Sequence, residues 1–413
     1  MPIKPCTKWL QTATPAFDNA THEQQVTRKE VIDLRSGDPV VWGFTYQALS
    51  NYLIDAAREG WHMYTEDRPW VLKELRTAIA EFENKYRGVE YSSENIVVAP
   101  GVAGALKVLH YAILEEGDEV VMLDPSHTLS RPTSYWSYLR AKPVACMTLE
   151  EENWKPDLSD MSKKISRKTK AIFINNPANP TGTVYDEKMI EEIVNVAGQH
   201  DIPVICDEIY GLITFDGTEA TSVAKLSGEV PVLTLSGMSK IFMRTGWRVG
   251  YICIHDPNGS LTDVTRSIKK VAQSYGHGTD CIPTPILAAA SRVYKNAVEN
   301  GLQGTESMDM VRELQIRRDY TMKRFSEMGG VSCSNPKGAC FAFPKIHGIG
   351  KVWRTDNDFL LDLVKEQGVV FAPGSIFGKL GQAHVRTLLL PKLEILEKVY
   401  NKLEEFLKKR GAS

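Results

Sequence analysis

Apolar residues recur in two alternating patterns from about residue 70 onward. Spacings of three and four residues predict amphipathic helices over residues 71–86, 104–115 and 187–200. Short β-branched runs predict strands over residues 95–98, 119–123, 171–174, 203–206, 232–235 and 250–254. This alternation is typical of an α/β fold with a mostly parallel sheet covered on both faces. Ligands of such folds bind at the carboxyl ends of the strands.

The pattern changes in the C-terminal third of the chain. A long charged helix is predicted over residues 308–328 and a closing helix over residues 392–409, with shorter elements between them. This change favours a second, smaller α+β domain. We expect an N-terminal arm with part of the small domain over residues 1–55, a large domain over 56–300 and a C-terminal small domain over 301–413.

Composition narrows the function classes. The 413 residues include 49 basic and 51 acidic side chains, so no strong net charge favours binding to nucleic acid or anionic membranes. The N-terminus lacks the apolar core of a signal peptide, and no apolar run approaches the ~20 residues of a membrane span, which predicts a cytoplasmic protein. Seven cysteines without Cys-x-x-Cys spacing and nine histidines without His-x-x-x-His spacing predict no metal site.

One lysine stands among small residues, in Ser-Gly-Met-Ser-Lys at residues 236–240. An isolated loop lysine is usually solvated, but a lysine held close to a carbonyl group and partly deprotonated acts as a nucleophile. Arg248 follows eight residues after Lys240, beyond a Thr-Gly turn, where its guanidinium can meet a phosphate. The pair is compatible with a phosphorylated aldehyde cofactor that binds covalently, but the two residues alone leave the solvated lysine open as well.

Polar side chains follow two of the predicted strands. Asn-Pro-Ala-Asn-Pro-Thr-Gly occupies residues 176–182, and Asp-Glu-Ile-Tyr occupies residues 207–210. Taken alone, the first is a rigid loop, and Asp207 serves as a helix N-cap as readily as a functional group. Small residues at 101–103, in the turn before the helix 104–115, leave backbone N–H groups open to an anion, although this is a weak motif by itself.

Together these segments resemble the motifs of fold type I pyridoxal phosphate enzymes, the aspartate aminotransferase superfamily, in the expected order along essentially the whole chain. The resemblance implies that Lys240 binds pyridoxal 5′-phosphate as an imine and later moves the substrate proton. It also implies that Asp207 is the anion beside the ring nitrogen. Asn179 and Tyr210 would donate hydrogen bonds to the phenolic oxygen of the ring.

The same resemblance implies the other contacts. The phosphate would be bound by Gly101, Val102, Ala103 and Arg248, and by Tyr64 reaching across the interface of a homodimer. The substrate would be bound by Arg386, Gly37 and Asn179. His127 stands where the family has an aromatic ring stacked on the cofactor, which makes it a tuning or specificity residue. For Tyr64 and His127, a packing aromatic and a surface histidine are the plainer interpretations.

Residues 148–157 and 238–248 are most similar to archaeal-type alanine aminotransferases. Three departures are His127, Gly237 in place of a hydroxyl residue, and a longer loop at residues 275–280. We expect a ping-pong transaminase that moves the amino group of an L-amino acid such as alanine to a 2-oxo acid such as 2-oxoglutarate.

Three other classes compare less well. A lyase or decarboxylase on the same site stays open, because small rotations of the substrate choose the bond that breaks. A cofactor-sensing regulator would need a DNA-binding domain ahead of Gly37, which already belongs to the fold. A dinucleotide dehydrogenase would leave Lys240 unexplained.

Overall fold

The structure is a computed structural model that describes residues 31–64, 70–127, 141–273 and 281–413. The strands are β1 (Ile32–Asp33), β2 (Ile96–Pro100), β3 (Glu119–Asp124), β4 (Lys142–Leu149), β5 (Lys155–Pro156), β6 (Thr169–Asn175), β7 (Val204–Asp207), β8 (Val232–Gly237), β9 (Val249–His255), β10 (Val331–Ser332), β11 (Phe341–Ala342), β12 (Lys345–Ile346), β13 (Val369–Val370), β14 (Ala372–Pro373) and β15 (Val385–Leu388).

The helices surround these strands. They are α1 (Ala48–Arg58), α2 (Trp70–Arg87), α3 (Gly101–Ile113), α4 (Leu158–Lys164), α5 (Glu187–Gln199), α6 (Thr262–Gln273), α7 (Thr284–Asn300), α8 (Glu306–Glu327), α9 (Asp356–Gln367) and α10 (Leu393–Lys409).

Eight strands form one sheet, in the order β2-β9-β8-β7-β6-β3-β4-β5. The strands from β8 to β4 pair in parallel, whereas β9 and β5 run antiparallel to their neighbours. All residues of β7 are buried, and in β6 only Lys170 is exposed, which agrees with a parallel sheet covered on both faces. The predicted α/β fold with a mostly parallel mixed sheet is confirmed.

Helix α5 shows why the chain forms these elements. Asp186 caps the helix by accepting a 2.8 Å hydrogen bond from the Met189 N–H, and the buried side chains share one face of the helix. Helix α3 corrects one prediction, because it begins at Gly101 rather than at residue 104. Small side chains had indicated a turn there, but they leave the first N–H groups of a helix equally open.

The C-terminal part packs onto the loops that follow the large sheet. Strands β11, β15 and β14 form an antiparallel sheet, and β1 pairs in parallel with β13. The Lys337 N–H donates to the Gly182 carbonyl at 2.8 Å, and the Ala339 N–H donates to the Ile213 carbonyl at 2.9 Å. These backbone hydrogen bonds hold the segment before β11 against the large domain, and Arg386 of β15 contacts Asn179 in the loop at residues 176–182.

Candidate active site

A cavity of about 530 Å³ lies at the carboxyl ends of β6, β7 and β8. The residues that line it are Ser36, Gly37, Asp38, Val102, Ala103, Leu106, His127, Asn175, Asn179, Asp207, Ile209, Tyr210, Ser239, Lys240, Thr245 and Arg248. Parallel strands ending at one edge bring these distant segments together, as expected for an open α/β sheet.

Lys240 lies three residues beyond β8 and points into the cavity, where its Nζ donates a 2.6 Å hydrogen bond to the Gly37 carbonyl. Burial lowers the pKa of Lys240, and the nearby carboxylates of Asp38 and Asp207 only partly offset this effect. A lysine with a lowered pKa is a better nucleophile toward an aldehyde than a solvated lysine.

Asp207 ends β7 and is only 9 % exposed. Burial raises the pKa of Asp207 to about 7, although its Oδ1 accepts a 3.1 Å hydrogen bond from the Ile209 N–H. A buried carboxyl of this kind favours a cationic partner, because a positive charge restores the stability of its ionised form.

Asn175 and Asn179 connect two of the strand ends. The Asn175 side chain donates to the Asp207 carbonyl and accepts from the Asn179 N–H, both at 2.7 Å. The Asn179 amide oxygen accepts a 3.1 Å hydrogen bond from Arg386 Nη1. This contact uses the amide oxygen, so the amide nitrogen of Asn179 is the group available to donate to a ligand.

Tyr210 is buried with its ring centroid 5.8 Å from Lys240 Nζ. Its ring packs edge-to-face on Phe341, with centroids 5.6 Å apart. Burial raises the pKa of Tyr210 well above its ordinary value, so the phenol keeps its proton as a hydrogen-bond donor at neutral pH.

Arg248 and the start of α3 meet at one end of the cavity. Gly101 has φ +73°, and a Cβ atom there would lie 2.6 Å from Arg248 Nη2. Only glycine therefore allows the guanidinium to approach the N-terminus of the helix this closely. Val102 and Ala103 line the cavity beside it. The guanidinium and the helix N-terminus form a site suited to a phosphate.

Arg386 is 4 % exposed and does not itself line the cavity. It reaches the cavity through Asn179, and its Nη2 donates a 2.6 Å hydrogen bond to the Arg35 carbonyl. Its guanidinium carbon lies 4.4 Å from the centroid of the Phe341 ring. Arg386 thus connects the Asn179 loop, the backbone at Arg35 and the Phe341 ring.

Comparison with known proteins decides the family. The model of aminotransferase class I and II matches residues 29–399. An aspartate aminotransferase from Pyrococcus abyssi is 32% identical over 92% of this chain and 93% of its own length. An aromatic-amino-acid aminotransferase from Thermococcus litoralis is 30% identical over 92% of each chain. The chain belongs to the class I and II aminotransferases.

A solved alanine aminotransferase from Pyrococcus furiosus has the same fold as this aminotransferase. Its TM-score is 0.88, with 36% sequence identity over 98% of this chain and 100% of the other. The protein is therefore a fold type I transaminase that uses pyridoxal phosphate, an amino acid and a 2-oxo acid. Among the described residues, no helix has the length and apolar character needed to cross a membrane.

The cavity of the aminotransferase fits this cofactor. Lys240 is available for an aldehyde, the buried Asp207 for a cationic ring nitrogen, and Arg248 with the start of α3 for a phosphate. Position 237 requires a glycine for a reason unrelated to the cofactor, because a Cβ atom there would lie 2.6 Å from the Val249 carbonyl oxygen. The departure at Gly237 is therefore required by the close pairing of β8 and β9.

The remaining predicted residues differ in position. His127 lines the cavity, and its backbone N–H donates a hydrogen bond to the Asn179 carbonyl at 2.9 Å. Gly37 lines the cavity and contacts Lys240. Tyr64 is 81 % exposed and lies away from the cavity of its own chain. The loop at residues 275–280 lies outside the described residues.

Sequence reasoning missed several residues of the site. Asp38 lines the cavity and accepts a 2.9 Å hydrogen bond from Thr245 Oγ1, and Ser239 places a hydroxyl beside Lys240. Asn175 had a usable signal, because it follows an apolar strand directly. Phe341 had no signal in the sequence, since its contacts with Tyr210 and Arg386 arise only from the packing of the two parts of the chain.

Proposed function

We propose that this aminotransferase moves the amino group of L-alanine to 2-oxoglutarate by a ping-pong mechanism. The observation that carries the proposal is the similarity to the Pyrococcus furiosus alanine aminotransferase over nearly the whole chain, at 36% identity and a TM-score of 0.88. The relatives named for aspartate and for aromatic amino acids are 32% and 30% identical over 92% of the chain. The donor therefore needs a further argument from the cavity.

The charges that line the cavity support a small neutral donor. Among its described lining residues, the lysine and arginine side chains are Lys240 and Arg248, and we assign both to the cofactor. Asp38 adds a carboxylate to the part of the wall around Gly37. A donor with an acidic side chain would approach this negative charge, whereas the methyl group of alanine would not.

The first group of roles in this proposal concerns the chemistry of the reaction. When bound, pyridoxal phosphate supplies an electron-withdrawing ring that accepts the electron pair of the broken Cα–H bond. Lys240 takes the Cα proton as general base and returns it as general acid. Asp207 holds a negative charge beside the ring nitrogen, and Asn179 and Tyr210 donate hydrogen bonds to the phenolic oxygen.

The other roles concern anchoring. Gly101, Val102, Ala103 and Arg248 hold the phosphate. Arg386 binds the substrate α-carboxylate, because a guanidinium makes strong, charge-assisted hydrogen bonds to a carboxylate. Gly37 closes over this carboxylate, Asn179 contacts the substrate, and His127 packs near the ring and tunes specificity.

We also propose a homodimer in which Tyr64 contacts the phosphate bound by the other subunit. The exposure of Tyr64 at 81 %, of Val41 at 67 % and of Trp70 at 51 % supports an apolar surface that a second copy covers. Sedimentation would test the dimer, and mixed dimers of Tyr64→Phe with Lys240→Ala subunits would test the shared site.

The three-part domain division stays a proposal, and the cytoplasmic location stays a prediction that cell fractionation would check.

A substrate panel tests the proposed donor and acceptor. Amino acids are assayed one at a time with 2-oxoglutarate, and alanine is assayed with several 2-oxo acids. We expect alanine to have the highest kcat/KM among the donors. Preference for an acidic or aromatic donor by about tenfold, which corresponds to about 1.4 kcal/mol, would show that the specificity is wrong. A blank without a 2-oxo acid measures lyase or decarboxylase turnover.

A further inference from the structure

A buried arginine lies beneath the loop that carries Asp207 and Tyr210. Arg87, the last residue of α2, is 8 % exposed. Its Nη2 donates a 2.8 Å hydrogen bond to the Glu208 carboxylate, and its Nη1 donates a 3.0 Å hydrogen bond to the Gly211 carbonyl. The two arms of one guanidinium therefore hold both ends of a segment whose middle residues, Ile209 and Tyr210, line the cavity.

Glu208 is fixed from its other side as well. Its second carboxylate oxygen accepts hydrogen bonds from Ser222 Oγ at 3.0 Å and from the Val223 N–H at 2.9 Å. The backbone of Glu208 is tied to β8, because its N–H donates to the Leu235 carbonyl at 2.8 Å. The position of Glu208 relative to the large sheet is thus determined by four independent hydrogen bonds, including that from Arg87.

Gly211 makes the contact with Arg87 specific. A Cβ atom at Gly211 would lie 2.8 Å from the guanidinium carbon of Arg87, so the guanidinium packs directly against the loop backbone. A lysine at position 87 has one nitrogen and cannot bond the carboxylate and the carbonyl in this forked way. The site therefore distinguishes arginine from a simple positive charge.

Stability alone gives a weak reason for such an arrangement. A buried ion pair loses about as much free energy in desolvation as it gains by attraction, and apolar residues of similar volume often replace one without loss. The segment that Arg87 and Glu208 hold contains a phenol and follows a carboxylate that face the cofactor site. Small displacements of such groups are costly for catalysis.

We propose that Arg87 and Glu208 are positioning residues that hold the loop from Asp207 to Gly211 in its reactive geometry. The inference rests on the roles proposed above for Asp207 and Tyr210. Arg87 acts through Tyr210, whose hydrogen bond to the cofactor oxygen affects the pH at which the lysine-bound cofactor changes colour.

The test uses the cofactor-loaded enzyme with Arg87→Lys. We expect the midpoint of the visible absorbance titration to move by about half a pH unit or more. The value of kcat should fall about 10- to 100-fold, while the KM for alanine and the affinity for pyridoxal phosphate change less than about threefold. Glu208→Gln keeps the shape of the side chain and should change the same quantities in the same direction.

Arg318→Lys is the matched control. Arg318 is also buried, and it also bridges a backbone carbonyl, of Pro336 at 2.6 Å, and a carboxylate, of Asp216 at 2.5 Å, but it lies away from the cavity. This variant should lower the melting temperature and leave the absorbance titration unchanged. If Arg87→Lys does not fold, Glu208→Gln decides the question with the same measurements.

Tyr210→Phe separates the inference from the proposed function. A titration and kcat that change in Tyr210→Phe but not in the folded Arg87→Lys or Glu208→Gln proteins would overturn the positioning role and leave the role of Tyr210 intact. A titration unchanged in Tyr210→Phe would overturn the role of Tyr210 and the inference with it. Loss of stability alone in Arg87→Lys, as in Arg318→Lys, would mark Arg87 as purely structural.

Discussion

The two walls of the cavity are built in different ways. The cofactor wall consists of Asn175, Asn179, Asp207, Tyr210 and Lys240, which follow or end neighbouring strands of the large sheet. The first four are 9 % exposed or less. The substrate wall consists of Ser36, Gly37, Asp38 and His127, none of which is fully buried and which come from segments far apart in the chain.

This difference between the walls separates the residues that carry out the reaction from the residues that determine substrate specificity. Residues of the cofactor wall are held by neighbouring strands of one sheet, which is a rigid support. Their spacing within each short motif therefore suits the chemistry of one cofactor. Residues of the substrate wall depend on how the N-terminal segment and the loop after β3 happen to pack. We therefore expect changes in the cofactor wall to lower turnover of all substrates alike, and changes in the substrate wall to alter the ratios between substrates.

The largest expected effect is in Lys240→Ala. Steady-state transamination should fall below detection, because no other described lysine lines the cavity. Borohydride reduction of the wild-type protein followed by peptide mass spectrometry should place the cofactor on Lys240. Modification of a different lysine would contradict the assignment, and Lys337→Ala, which removes an exposed lysine paired with Asp216, is the control.

Asp207→Asn should have the next largest effect. Loss of the anion beside the ring nitrogen removes electrostatic stabilisation on the order of several kcal/mol, so kcat should fall by about a hundredfold or more for every donor. Cofactor affinity should fall less, because Arg248 and α3 hold the phosphate separately.

Kinetics and cofactor fluorescence titration measure the two effects of Asp207→Asn. Asp356→Asn serves as the control, since Asp356 is also buried with a raised pKa but lies outside the cavity. Near-normal turnover in Asp207→Asn would refute the role.

Arg386 contacts Asn179 of the cofactor wall and the Arg35 carbonyl, which precedes Ser36 of the substrate wall. The variant Arg386→Lys therefore tests the place where the two walls meet. A lysine at position 386 cannot make the two parallel hydrogen bonds by which a guanidinium binds a carboxylate. The value of kcat/KM should therefore fall roughly 10- to 100-fold for all amino acids and 2-oxo acids. Arg317→Lys is a suitable control, because Arg317 is also buried and bonds a backbone carbonyl, that of Leu390, away from the cavity. An effect confined to one class of side chain would show that Arg386 does not bind the shared carboxylate.

The smallest expected effect is in Asp38→Asn. Removing this partly exposed charge should raise the kcat/KM of aspartate relative to alanine by only about two- to fivefold, because solvent screens the interaction. Competition between the two donors measures the ratio directly. Asp263→Asn, on the exposed face of α6, should leave it unchanged. An unchanged ratio in Asp38→Asn would remove Asp38 from the substrate wall.

The same contrast explains how much the sequence could predict. Helices α2, α5 and α10 were predicted because each buries a regular apolar stripe. Helix α1 was not, since it buries only Leu49 and Ala56, and neither was β4, of which only Cys146 and Thr148 are buried. The family resemblance located Lys240 and Asp207, whereas Asp38 and Phe341 act through contacts between segments that no local pattern records.

The buried carboxyl of Asp207 links cofactor capture to protons. The pKa of Asp207 rises from 3.8 in the unfolded chain to about 7 in the cofactor-free protein. This contribution to stability is therefore present below about pH 4 and is lost as the pH rises through 7. A cationic ring nitrogen beside Asp207 lowers this pKa and removes the loss, so the cofactor should raise the melting temperature more at pH 8 than at pH 6.

Glu83 distinguishes this effect from general burial. Burial also raises the pKa of Glu83 to about 7, but Glu83 lies outside the cavity, beside Tyr251. Glu83→Gln should therefore change the pH dependence of both forms equally and preserve the difference between them, whereas Asp207→Asn should abolish it. In a cell, the cofactor would then stabilise the folded chain more strongly at higher pH, through the ionised Asp207 carboxylate.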